Sequence, residues 1–190
     1  MSRRLVGVGV FTCLLGVVLS AAAPAANIDP AASAIGFTLK TRWGQTLHGR
    51  FPRYDGEIRT LADGSHQVRL RLSTRDVEIV GNPVYTRLTR GPGFFDADSY
   101  GSVVFVSDAY PAALMRSGGP LAGELTIRGR QQREVFTLNP SACDRPAVDC
   151  DVVAAGTIRR DDYGVDRWGF ALSNRVRFSL RVRVQGDLGG

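Results

Sequence analysis

His48 and His66 are the only imidazoles in this chain of 190 residues. A histidine within reach of a serine and an aspartate can act as a general base, and paired imidazoles can hold zinc. The sequence carries no G-x-S-x-G, H-E-x-x-H or C-x-x-C-H that would place such groups together. His66 falls in the turn-like "DGSHQ", and His48 reads as an ordinary strand residue. Asp96 with Asp98, and Asp161 with Asp162, bring carboxylates close together. Both pairs lack the glycine and downstream glutamate of a calcium loop. The chain is therefore read as a non-enzyme, with no metal and no resident cofactor.

Three cysteines remain, and the N-terminus decides how they are used. "MSRRLVGVGVFTCLLGVVLSAAAPAA" has two arginines, an apolar run from Leu5 to Leu19 and then small residues. That layout predicts a secretory signal peptide over residues 1–26, cleaved near Ala26, and a periplasmic destination. Cleavage removes Cys13 and leaves Cys143 and Cys150. An even pair in an oxidising compartment predicts one disulfide closing "CDRPAVDC". The spacing fits neither a zinc knuckle nor a C-x-x-C redox site. The formal charge of +6 falls to +4 once Arg3 and Arg4 leave, and Lys40 is the only lysine. An exported chain of this charge excludes a nucleic-acid partner. It leaves open contact with an envelope or membrane surface.

Residues 27–190 suit one domain with its own core. Period-two alternation runs through most of that length, the pattern of half-buried strands. "RVRFSLRVRV" puts Val176, Phe178, Leu180, Val182 and Val184 on one face and arginines on the other. "AIGFTLK", "QVRLRLST" and "GELTIRG" alternate likewise. Weaker strands fall near 47–51, 54–61, 103–107, 134–139 and 152–159, about eight in all. "GNPVYTRLTRGPG" predicts a short helix with Asn82 as N-cap, Pro83 in the first turn and Gly91–Pro92 as the stop. A second turn of helix is predicted around 111–116. One-sided alternation on this scale requires a sandwich or a closed barrel, and periodicity does not choose between them.

The motifs taken together resemble the YceI-like family. "DPAASAIGFTLK" with "GQTLHGRF", then "GFFDADSYGSVVFVS", "LAGELTIRGRQQREVFTL" and "IRRDDYGV", follow that family's order over nearly the whole exported chain. The resemblance implies an all-β fold: an extended lipocalin-like, eight-stranded antiparallel barrel with one or two short helical insertions. It also implies a polyisoprenoid or quinone-like lipid in the barrel interior. Two departures stand near the expected cavity mouth: Arg128 where the family often has histidine, and Arg87–Leu88 where it commonly has His-Leu.

On this reading the ligand wall is Phe37, Leu39, Phe51, Leu70, Leu72, Leu125, Ile127 and Phe178. Phe94 and Phe95, adjacent in sequence, are expected to send one ring into the barrel and one beneath the helix, forming a lid with Tyr85 and Leu88. Trp43 and Trp168 are expected to cover a barrel end or line the cavity. The expected role is an exported carrier of a hydrophobic isoprenoid-type small molecule, for transport, storage or protection. The competing expectation is an envelope stress or interaction module that uses the arginine-rich outer face of the last strand. The sequence leaves the oligomeric state open.

Overall fold

The structure is a computed structural model that describes residues 25–186 and Leu188. Of the expected signal peptide over residues 1–26, residues 1–24, with Cys13, lie outside the described residues.

The strands are β1 (Ala25–Ile28), β2 (Ala34–Thr41), β3 (Thr46–Arg50), β4 (Tyr54–Thr60), β5 (Ser65–Ser73) and β6 (Glu78–Ile79). Helix α1 (Pro83–Arg90) follows, then β7 (Ser102–Ser107), β8 (Tyr110–Pro111), helix α2 (Ala113–Ser117), β9 (Gly119–Ile127) and β10 (Arg130–Leu138). The chain ends with β11 (Val152–Arg159), a single 3-10 turn (Arg160–Tyr163), β12 (Leu172–Val182) and β13 (Val184–Gln185).

These strands form one antiparallel sheet in the order β13-β1-β4-β5-β7-β9-β10-β11-β12-β2-β3-β6, with β8 on β5. Only Arg183 separates β12 from β13, so the two are a single run of chain and the path returns to its own start. That run pairs with β11 and β2 along its length and with β1 at its tail, where Asn27 faces Gln185 and Ile28 faces Val184. With β12 and β13 counted as one, the ring contains eight strands: β1, β4, β5, β7, β9, β10, β11 and β12–β13. The β2–β3–β6 ribbon extends the wall at one end. The barrel reading is thus borne out, with more strand segments than expected. β6, β8 and β13 have two residues each, too few to show a period.

The alternation read from sequence sets the faces. Val176, Phe178 and Val184 are buried while Arg175, Arg177 and Ser179 are exposed. Leu70 and Leu72, Leu125 and Ile127, and Phe37 and Leu39 point inward in the same way. Burying such side chains contributes roughly 1.5–3 kcal/mol each. Outside, Arg181 and Arg183 both meet the Asp151 carboxylate, at 3.5 and 2.6 Å. That one carboxylate offsets one of the two positive charges there.

The two ends differ. One is shut: the Cys143–Cys150 disulfide pins the β10–β11 loop. Within that loop, fully buried Ala147 accepts a hydrogen bond from the Val184 amide at 2.9 Å. The other end gathers the β2–β3 tip, α1 with residues 91–101, the β9–β10 tip and residues 160–171. Arg128, in the left-handed conformation at the β9–β10 tip, donates from Nη1 to the Gly164 carbonyl at 2.7 Å and lies 5.9 Å from the Tyr100 ring. The arginine that departs from the family pattern is a strut between two loops.

Candidate functional site

α1 begins as the sequence predicts. Asn82 Oδ1 accepts from the Tyr85 amide at 2.9 Å, and Pro83 occupies the first turn. The chain then folds back: the Phe94 amide donates to Gly91 O, Phe95 to Thr89 O and Ala97 to Arg90 O, with Asp96 left-handed. Phe94 and Phe95 therefore lie in a looped segment rather than a strand. Both rings turn inward, which a regular strand forbids.

Between that segment and the sheet is a cavity of about 320 Å³, the lower end of the range for small-molecule sites. Phe37, Leu39, Tyr85, Leu88, Phe94, Phe95, Ile127 and Phe178, named above for the ligand wall and its lid, line it. So do both tryptophans, together with Leu47, Ile79, Ile158, Val176 and Phe170, which the sequence reading did not single out. The floor is aromatic. Phe37 meets Phe51, Phe95 and Phe178 with centroids 5.6, 6.3 and 6.0 Å apart, and Phe136 lies 6.5 Å from Phe178. Gly49 makes room for this layer: a Cβ there would lie 2.1 Å from the Phe37 ring.

Below the floor is a second pocket of about 80 Å³, bounded by Leu70, Leu72, Leu125 and Phe105. Phe178 borders both spaces. Of the expected ligand wall, Leu70, Leu72 and Leu125 thus belong to the inner pocket rather than the main cavity. Phe51, 2% exposed, is embedded in the floor and lines neither space. The interior is two apolar chambers divided by phenylalanine rings, not a continuous tunnel.

One charged residue lines the main cavity, Arg160, 5% exposed. Its Nη1 donates to Val165 O and Arg167 O, both at 2.7 Å, and its Nε donates to Ser173 O at 3.0 Å. The last contact depends on a register shift of β12 against β2 between Leu172 and Val176, a bulge that frees the Ser173 carbonyl from the ladder. Burial lowers the Arg160 pKa from its ordinary value. No carboxylate forms an ion pair with it among the described residues, and Nη2 carries N–H groups with no acceptor there. Nearby, buried Tyr163 donates to Glu134 Oε1 at 2.8 Å. Burial and then that hydrogen bond push the Tyr163 hydroxyl well above the usual phenol range, and burial raises the Glu134 carboxyl. His48 is exposed on β3, and His66 lies on β5 beside Thr60, remote from the cavity lining. No cluster of three metal-ligating side chains occurs among the described residues.

A closed antiparallel barrel around an apolar chamber, entered at one end, is the architecture of a hydrophobic-ligand binding barrel. Comparison with known proteins gives the family. The YceI-like domain model matches residues 27–184, and the chain belongs to that family. Solved structures agree on the fold. Burkholderia cenocepacia BcnA superposes with a TM-score of 0.67 at 17% identity, over 84% of this chain and 99% of that one. A polyisoprenoid binding domain from Saccharophagus degradans gives 0.63 at 14% identity, over 85% and 97%. The Campylobacter jejuni YceI protein gives 0.55 at 17% identity, over 73% and 85%. Comparison with curated protein sequences returned no match.

Proposed function

We propose that this protein is an exported, periplasmic carrier that encloses one end of an isoprenoid or quinone-like lipid in the cavity above the phenylalanine floor. The observation that carries the reading is the chamber itself: about 320 Å³, walled by aliphatic and aromatic side chains and interrupted by a single buried cation. A branched, flexible hydrocarbon suits such walls because burial is non-directional and each methylene contributes roughly 0.8 kcal/mol. The apolar tail rests on Phe37 and Phe178. A carbonyl or phosphate oxygen on the headgroup side accepts from Arg160 Nη2, which otherwise lacks a protein acceptor. A chamber of about 320 Å³ is too small for a long polyisoprenoid, so the remaining chain leaves through the mouth or displaces the floor.

The test is native mass spectrometry and organic extraction of protein purified from its own envelope. The carrier reading expects a bound lipid of isoprenoid type, and weaker retention of it by Arg160→Met. Protein that arrives empty and takes up no isoprenoid alcohol or quinone on addition refutes it.

A further inference from the structure

Helix α1 lies across the mouth with its faces reversed. Its sheet-facing residues are threonines: Thr89 is buried, and the Thr86 hydroxyl bonds both the amide and the carbonyl of Ile79, at 2.9 and 3.2 Å. Its apolar residues are on the open side, with Val84 56%, Leu88 42% and Tyr85 36% exposed. A helix that merely covered a barrel end in water would bury those three and expose the threonines.

The neighbouring loops repeat the pattern. Trp43 at the β2–β3 tip is 74% exposed and Phe170 79%. The Arg42 amide donates to Ala171 O at 2.8 Å, and its guanidinium to Gly169 O, so the two tips are held side by side. Trp168 packs 5.9 Å from Phe170. These are fixed projections and not frayed ends. Of the ten large apolar residues exposed among the described residues, seven belong to this rim: Trp43, Val80, Val84, Tyr85, Leu88, Trp168 and Phe170.

Charge names the partner. Arg42, Arg87 and Arg167 are exposed on the same segments. Among the described residues neither Arg87 nor Arg167 has a carboxylate within ion-pair distance, and Asp166 is the exposed acid in the 164–171 loop. Projecting tryptophan and tyrosine edged by arginine match the interfacial layer of a bilayer, where amphipathic rings sit at headgroup level and cations meet lipid phosphates. We infer that the mouth docks on a lipid surface bearing anionic headgroups, with Trp43, Phe170 and the open face of α1 inserted. That the docked mouth is also the port through which lipid enters rests on the carrier reading above. The docking itself does not.

Both tryptophans of the chain are on this rim, so intrinsic fluorescence reports on it directly. The experiment adds the exported form of the protein to phosphatidylcholine vesicles with and without an equal part of phosphatidylglycerol, following emission and co-sedimentation. Docking expects a blue shift and sedimentation with the anionic vesicles, both weakened by salt. Trp43→Ser with Phe170→Ser lowers the affinity ~10-fold or more. Arg87→Glu and Arg167→Glu, which lie off the cavity lining, lower it by about 5-fold each at low salt. Val135→Ser with Val153→Ser, on exposed strand positions elsewhere, leaves it unchanged. Absence of both shift and sedimentation overturns the inference. So does a blue shift that grows with protein concentration without vesicles, which identifies the rim as a contact between two copies. Docking without isoprenoid uptake sinks the carrier reading alone, and uptake without docking sinks this inference alone.

Discussion

Phe178→Ala tests whether the phenylalanine floor limits how much of a ligand the barrel encloses. The Phe178 ring is buried, with Phe37, Phe51 and Phe136 centroids 6.0, 6.4 and 6.5 Å away. Truncating a buried phenylalanine costs about 3–5 kcal/mol. Phe178 borders a cavity on each side, so part of its surface has no partner atoms to lose. The cost then falls at the lower end, about 3 kcal/mol, which leaves a domain of ordinary stability folded. The substitution also joins the chamber of about 320 Å³ to the pocket of about 80 Å³. Urea unfolding of wild type and variant, alone and with excess geraniol, farnesol or geranylgeraniol, reads both effects. A ligand at a hundredfold its Kd adds about 2.7 kcal/mol to the folded state. The wild type's gain should level off at a shorter alcohol than the variant's. A loss below about 1 kcal/mol, or levelling at the same length in both proteins, refutes the reasoning.

Three other outcomes follow from the same packing. Gly49→Ala places a methyl where the Phe37 ring lies and should destabilise by about 1–3 kcal/mol in chemical denaturation, with reduced isoprenoid binding. Reducing Cys143–Cys150, or replacing both cysteines by serine, should cost about 2.5 kcal/mol on the loop-entropy model without altering binding at the far mouth, as read by urea midpoint and ligand titration. His66 is buried, and desolvation lowers its pKa, so the fold favours the neutral ring. Its contribution is present above the unfolded value of about 6.5 and is lost as pH falls through that value toward the depressed one. Thermal midpoints measured downward from neutral pH should therefore decline, and His66→Gln should flatten the decline; identical pH slopes in both proteins refute this.

Strand parity was legible in the sequence, but depth along the barrel was not. Leu70, Leu72 and Leu125 face inward as their alternation predicts, yet they sit at the closed-end level below the phenylalanine layer. A period of two says which face a side chain takes and nothing about which layer of the interior it reaches. The N-cap of α1 was readable because Asn82 and Pro83 act locally. Which way the helix turned its apolar residues was not, since that depends on Thr86 bonding to β6, a strand too short to show a pattern. Arg160 could have been found. Counting inward positions along β11, Val152 and Ile158 are buried, and Arg160 continues their parity. The run of charge in "IRRDDYGV" hides that count, because an arginine at an inward position breaks the apolar pattern by which such positions are recognised.

The asymmetry of the barrel restricts how a ligand could pass. At the shut end, the β1–β13 pairing, the disulfide loop and the buried contact of Ala147 with Val184 must all be broken before an opening forms. Those are backbone hydrogen bonds and a covalent bond, and their loss means unfolding that end. At the mouth, the obstacles are the rings of Phe94 and Phe95 and the side chains of Tyr85 and Leu88, which move by rotamer changes without breaking the sheet. On the carrier reading, entry and exit therefore belong to the mouth, where the apolar residues of α1 are already turned outward. A hydrocarbon arriving there first meets Trp43, Tyr85 and Leu88, the part of the cavity wall exposed at the mouth, and if the mouth docks on a lipid surface as inferred above its transfer need not cross open water.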